Sequence, residues 1–311
     1  MKFKLIYENH GNFGLHIGDY FLYLKYALES LGHTADIEYA FCPGHMNIML
    51  ECFNDAFTEK VKSSWISGTS VIVVATEFLT GQTFNNIYQD DSNAPMKSDH
   101  NQRLDFWQMR YKNFVKLMPR FSAIWHVADD QAQIYQAAFP QVSVQYMPHG
   151  YSDRFHTVVH RPDDEKDIDV LFTGTMTTYR KKVLSMLSDA GLVVVSSILF
   201  TAPFHRNDLI SRSKLVLNIK QHPNWQHESV TRLYYHISND SLLITDQCQY
   251  PTDLHDYVVQ MEGSWLDCVK KQVALGNYNE RAQAVRKRFA KERPVDQLYQ
   301  KLLDQSGIAS I

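Results

Sequence analysis

Between Ile210 and Asp246 two short, uninterrupted apolar runs, residues 215–219 and 242–245, enclose a polar loop and a helical pattern around Arg232. Such a run–helix–run demands parallel strands, because parallel neighbours cannot be joined by a tight turn and need a crossover, usually helical. One basic residue, Lys220, leaves the end of the first strand, and another, Arg232, lies in the helix. In an open α/β sheet, ligands bind beyond the carboxyl ends of the strands, and helix N-termini there favour anions.

The same alternation runs through the rest of the chain. Residues 3–7 read as a first strand, followed by a loop with Gly11, Gly14 and Gly18. A helix over 20–31 is expected from Phe21, Leu24, Leu28 and Leu31, closed by Gly32. Strands are expected at 35–39, 46–53 and 70–76, with a helix at 57–67. The run Ser-Val-Ile-Val-Val-Ala-Thr at 70–76 has the continuous β-branched character of a strand covered on both faces. Residues 85–102 are polar and aperiodic, hence a loop. A helix over 104–117, a strand at 123–127, a helix at 130–138 and a strand at 142–147 complete the first half.

The charged, proline-containing segment 160–166 (His-Arg-Pro-Asp-Asp-Glu-Lys) reads as an inter-domain linker. Beyond it a second alternation begins, with a strand at 169–173 opening into Gly174, a helix to Ala190 and a strand at 192–195. After the stretch 210–246 come a strand near 258–261, a helix over 265–275, a basic helix, and a last helix that starts at Pro294. The fold class is therefore α/β, with two Rossmann-like domains facing a central cleft, at 1–159 and 160–311. A chain of 311 residues is long enough for two cores.

Composition narrows the function classes. A net charge of -3 does not favour nucleic acid, and a DNA acceptor would need a local basic stripe. Four cysteines without a CxxC pair, and no HExxH, make reduced thiols and no zinc site the expectation. The first residues lack the apolar run of a signal peptide, and no stretch reaches the ~18 apolar residues of a membrane span. A cytoplasmic protein is expected.

Three patterns stand in order along the second half: Asp169-Val-Leu-Phe-Thr-Gly174 with Arg180, Leu217-Asn-Ile219, and Arg232-Leu-Tyr-Tyr-His-Ile-Ser-Asn-Asp240 followed by 242–246. Together they resemble glycosyltransferases of the GT-B architecture. They are most similar to the glycosyltransferase-4-like and spore-maturation-protein types, and more distantly to the phage DNA β-glucosyltransferases. The resemblance covers nearly the whole chain. It implies transfer of a sugar from a nucleotide-sugar donor to a hydroxyl acceptor (glycan, lipid-linked or other), with no catalytic metal and no cofactor beyond the donor. It makes 1–159 the acceptor side and 160–311 the nucleotide-sugar side, and the final helix of such proteins, here about 294–304, often crosses back to the first domain. The sequence departs from the pattern at Tyr235, where the family usually carries a ribose-binding glutamate.

A departing diphosphate gains negative charge as the glycosidic bond breaks, so fixed cations and backbone N–H groups are needed there. Gly174 permits close backbone approach, and Arg180, Lys220 and Arg232 are the candidate clamps. Glu228 is the candidate substitute for the missing ribose acceptor, since a phenol such as Tyr235 accepts only weakly. Inversion at the anomeric carbon requires a base from the first domain. Glu77, after the 70–76 run, is the leading candidate, with a turn cap as its structural alternative. His16 and Asp19 follow, Asp19 being equally an N-cap for the helix beginning at Tyr20. Gly14 and His149 are placed on the acceptor side. The aromatic and basic residues of 103–120 read as an amphipathic helix with core aromatics and solvated cations, or else as an acceptor platform. Two other functions share this architecture: a non-catalytic binding protein, motivated by Tyr235, and a sugar-nucleotide epimerase.

Overall fold

Val71, Ile72, Val73, Val74 and Ala75 are each 0% exposed. Full burial of each larger side chain contributes about 1.5–3 kcal/mol, so this strand must have helices on both faces. The computed structural model describes residues 1–10, 17–65, 68–85, 104–196 and 201–308, which divide into two units.

The first unit comprises residues 1–148 and 295–311. Its sheet strands are β1 (Lys2–Ile6), β2 (Thr34–Glu38), β3 (Met46–Leu50), β4 (Ser70–Ala75), β7 (Ala123–His126) and β8 (Ser143–Tyr146), with a small hairpin of β5 (Leu79–Thr80) and β6 (Thr83–Phe84) between them. The six are parallel, in the order β2-β1-β3-β4-β7-β8, so the strand order turns back between β1 and β3. The helices are α1 (Gly18–Ser30), α2 (Asp55–Ser64), α3 (Leu104–Leu117) and α4 (Asp129–Ala138). Asn54 sets the start of α2 by accepting the Phe57 N–H, a cap that contributes about 1 kcal/mol. Asp19 lies inside the first turn of α1, whose N-cap position is Ile17, so it is not the cap that its sequence position suggested.

The second unit spans residues 149–294. It contains β9 (Ile168–Phe172), α5 (Thr178–Asp189), β10 (Val194–Ser196), α6 (Pro203–Ser211), β11 (Ser213–Asn218), α7 (Val230–Ser238), β12 (Leu243–Thr245), β13 (Val259–Gln260), α8 (Trp265–Leu275) and α9 (Tyr278–Glu292). The parallel order is β10-β9-β11-β12-β13, and the turn-back falls between β9 and β11. The last helix, α10 (Val295–Gln305), belongs to the first unit. There Tyr299 meets Tyr23 edge-on at 5.6 Å, and Ser306 accepts the Trp125 indole N–H at 2.8 Å.

Two sequence expectations differ from this arrangement. The segment 160–166 is part of the second unit rather than a linker, and the boundary falls after Pro148. The reason is that its polar groups find buried backbone partners: His160 Nε2 donates to Asn239 O, and Lys166 Nζ donates to the carbonyls of Ser211 and Ser213. Asn239 in turn accepts the N–H groups of Thr157 and Val158. Helix α6 was not anticipated, although Pro203 at its first turn is a recognised start signal.

Candidate functional site

In the second unit, the strand ends at the β9/β11 turn-back carry the motif residues. The β9 strand runs into Thr173 and Gly174, and Gly174 adopts φ +136°, a conformation L side chains rarely take. A Cβ at this position would lie 2.5 Å from Arg232 Nη2. Arg232, on the first turn of α7, donates through Nε to Thr173 O at 2.8 Å and through Nη1 to Asn218 Oδ1 at 2.5 Å. Asn218 closes β11 and is itself oriented by donating to Thr245 Oγ1 at the end of β12. Among the described residues no carboxylate pairs with Arg232, and burial alone lowers it to about 10. Arg232 is half-buried, and taking a guanidinium even partly out of water without a counter-charge carries a cost that an anion would offset.

Arg180 lies on the same edge with a different task. It is buried, donates through Nε to Ile219 O and Lys220 O, and through Nη1 to Thr175 O. It therefore ties the 174–176 loop to the end of β11. Thr177 caps α5 by accepting the Arg180 N–H, and its own hydroxyl donates to Gln221 O. Both guanidinium carbons stand over the Phe172 ring, at 5.1 and 5.2 Å. Lys220 Nζ reaches Gln247 O, and the Lys220 N–H approaches Asp246 Oδ2 at 3.4 Å. Asp246 also accepts the Tyr179 hydroxyl; burial raises the Asp246 carboxyl and pushes the Tyr179 phenol up to about 12.

Glu228 does not reach outward as expected of a ribose acceptor. Its side chain is 0% exposed, with Oε2 accepting from Thr252 N and Oγ1 and Oε1 paired with His255 Nδ1 at 2.7 Å. It anchors the loop before α7 to residues 252–255. Tyr235 is buried and donates to Asn207 Oδ1 at 2.6 Å, with Arg206 over its ring at 4.1 Å. His149 falls in the second unit and is 1% exposed, held by Asp253 at its N–H and Arg293 at its carbonyl. Burial lowers its imidazole to about 4. The chain does contain one Asp-x-Asp, Asp167-Ile168-Asp169, at the opposite end of β9, where the carboxylates pair with Arg212 and Lys214. Among the described residues no group of His, Cys, Asp or Glu is placed to hold a metal ion.

In the first unit the strand-end residue Glu77 is held from every side. Oε1 accepts from Arg110 Nη1 at 2.7 Å and Oε2 from Asn85 Nδ2 at 2.6 Å. Its carbonyl accepts from Tyr135 OH and His126 Nε2, and its N–H donates to Glu51 Oε2. Arg110 and Glu51 were not singled out from sequence. Arg110 is buried on α3, in line with Trp107, Phe114 and Leu117, and is not one of the solvated cations expected there. That spacing placed a cation on the apolar stripe, and Glu51 likewise interrupts an apolar run; both were legible as charges in the wrong surroundings. Gly14 and His16 lie outside the described residues.

No family model matches the sequence, and no curated protein matches it. Solved structures do. TarM superposes with a TM-score of 0.50 at 12% identity, over 84% of this chain and 54% of its own. The N-terminal domain of Candida albicans trehalose-6-phosphate phosphatase superposes with a TM-score of 0.51 at 8% identity, over 99% and 97%. These likenesses are of fold: α/β units with parallel sheets, of the GT-B type. The chain spans about half the length of TarM, covering 54% of it. Among the described residues no helix is long and apolar enough to cross a membrane.

Proposed function

We propose that this protein transfers a sugar from a nucleotide-sugar donor to a hydroxyl acceptor, and that the donor's diphosphate is held at the strand ends beside Gly174 and Arg232. The observation that carries this reading is the Arg232 guanidinium, half-buried, without a carboxylate among the described residues, and pressed against a glycine. The N-terminus of α5 opens beside the same loop and adds its dipole. In the reaction the acceptor oxygen bonds to the anomeric carbon, and the nucleoside diphosphate leaves with the electron pair of the broken bond. Arg232 stabilises the charge gathered on the leaving phosphate, and Arg180 keeps the 174–176 loop in place. The acceptor's proton passes to a carboxylate, for which Glu77 is the candidate. The proposed chemistry is inverting and proceeds without a metal.

Titration calorimetry with UDP, GDP, CDP and ADP tests the reading directly. At least one is expected to bind, and Arg232→Ala to abolish that binding while the folded state persists. Failure of every nucleotide at millimolar concentration rejects the proposal. The non-catalytic alternative draws on the internal bonds of Glu228 and Tyr235, which leave neither poised for a ribose. Hydrolysis or transfer of a bound donor excludes it.

A further inference from the structure

The ends of β3 and β4 bring two carboxyl groups to a single guanidinium. Glu51 Oε2 accepts the N–H groups of Thr76 at 3.1 Å and Glu77 at 3.3 Å. Its other oxygen, Oε1, is buried with no partner among the described residues, and so is Arg110 Nε. Arg110 gives Nη1 to the Glu77 carboxylate but Nη2 only to the Glu51 backbone carbonyl. The cation is therefore committed to Glu77, and the Glu51 side chain is left with two neutral donors.

We propose that Glu51 is a positioning residue for Glu77: through Oε2 it clamps the Thr76–Glu77 backbone, and it leaves the Arg110 cation to the Glu77 carboxylate. Two adjacent carboxylates that share one counter-charge do not both ionise readily, and the more deeply buried one keeps the proton. Glu51 is 3% exposed, and its unpartnered Oε1 is the atom on which a proton costs no existing bond. Burial first and the Glu77 charge second raise Glu51 to about 8, against the pull of Arg110 and the two N–H groups.

The other titratable neighbours do not take over this proton. Cys52, next in the chain, has its thiol raised by burial, and Tyr135 of α4 is raised well above its ordinary value for the same reason. His126 of β7 accepts the Ala128 N–H at Nδ1 and so presents Nε2–H to the Glu77 carbonyl. Asn9, after β1, adds only a neutral donor to Leu50 O. Clamped in this way, Glu77 carries its charge on a fixed backbone. Its use as the base for an acceptor hydroxyl rests on the glycosyl-transfer reading above.

Carbon NMR of the full chain labelled at glutamate Cδ, without donor or acceptor, tests the proposal. One side-chain carboxyl is expected to titrate near pH 8. Glu51→Gln should remove that titration, and Glu77→Gln should lower it by about one unit or more. Persistence of the alkaline titration in Glu51→Gln, or its indifference to Glu77→Gln, overturns the proposal; the second variant decides if the first does not fold. With a donor that turns over, Glu51→Gln should also lose the alkaline inflection of kcat/KM, which a merely structural role would not move. The expected titrations without any nucleotide binding would uphold the carboxyl pair and reject only the glycosyl-transfer reading.

Discussion

Arg232 and Gly174 occupy each other's space: the guanidinium Nη2 stands where any larger residue at 174 would begin. Gly174→Ala must push that guanidinium off its Thr173 and Asn218 partners while forcing an L residue to φ +136°. Strain of this kind costs about 1–3 kcal/mol. The variant is expected to melt several degrees lower and to lose its nucleotide-induced shift, read by thermal denaturation with and without ligand.

Arg232→Lys separates charge from geometry. A lysine keeps the cation but cannot serve Thr173 and Asn218 together while facing the loop. Calorimetry should rank nucleoside diphosphate affinity as wild type, then lysine, then Arg232→Ala. Ligand at about 100 times its Kd should stabilise the wild type by about 2.7 kcal/mol, an effect the alanine variant lacks.

The Glu51 carboxyl makes stability depend on pH in a set direction. Its value in the fold, about 8, lies above its ordinary 4.5, so its contribution is fully present below the lower value. It is lost as pH rises toward the upper one, because the native state holds a proton that the unfolded chain gives up. Denaturant melts from pH 5 to 9 should decline for the wild type and run flatter for Glu51→Gln.

Two buried histidines set the acid limb. Burial lowers His149 to about 4 and His236 well below its ordinary value. Both stay neutral in the fold while the unfolded chain binds protons below about 6.5, so stability falls as pH drops from there toward 4. His236→Gln is expected to flatten this decline in the same melts.

Asn239 is 0% exposed and serves Thr157 N, Val158 N and Tyr235 O at once. Asn239→Ala orphans buried backbone groups at about 1–3 kcal/mol each. A loss of about 2–4 kcal/mol in urea is expected, with segment 157–160 becoming the first region to gain hydrogen-exchange rate.

What the sequence made legible follows from what kind of physics each feature uses. The strands announced themselves because burial on both faces forces uninterrupted runs such as 71–75, and Gly174 and Arg232 because a turn and a cation sit at fixed offsets from such runs. The internal partners of Glu228 and Tyr235, namely Thr252, His255 and Asn207, were not legible because they lie at distances along the chain that no periodicity encodes. Segment 160–166 looked solvated because its charges are visible in sequence while the carbonyls of Ser211 and Ser213 that receive Lys166 are not. The Glu51–Glu77–Arg110 group needed three elements to be assembled before its charges could be paired.

The return of α10 to the first unit has a consequence for biogenesis. Trp125 waits 181 positions for Ser306, so the unit that emerges first from the ribosome is the last to have all its residues. The second unit needs nothing made after residue 294. Its two ends close on each other where Tyr151 N–H donates to Arg293 O at 2.8 Å. A released chain ending at Pro294 should therefore hold a finished, protease-resistant second unit while its first unit lacks Ser306 for Trp125, the reverse of the order in which the two were made.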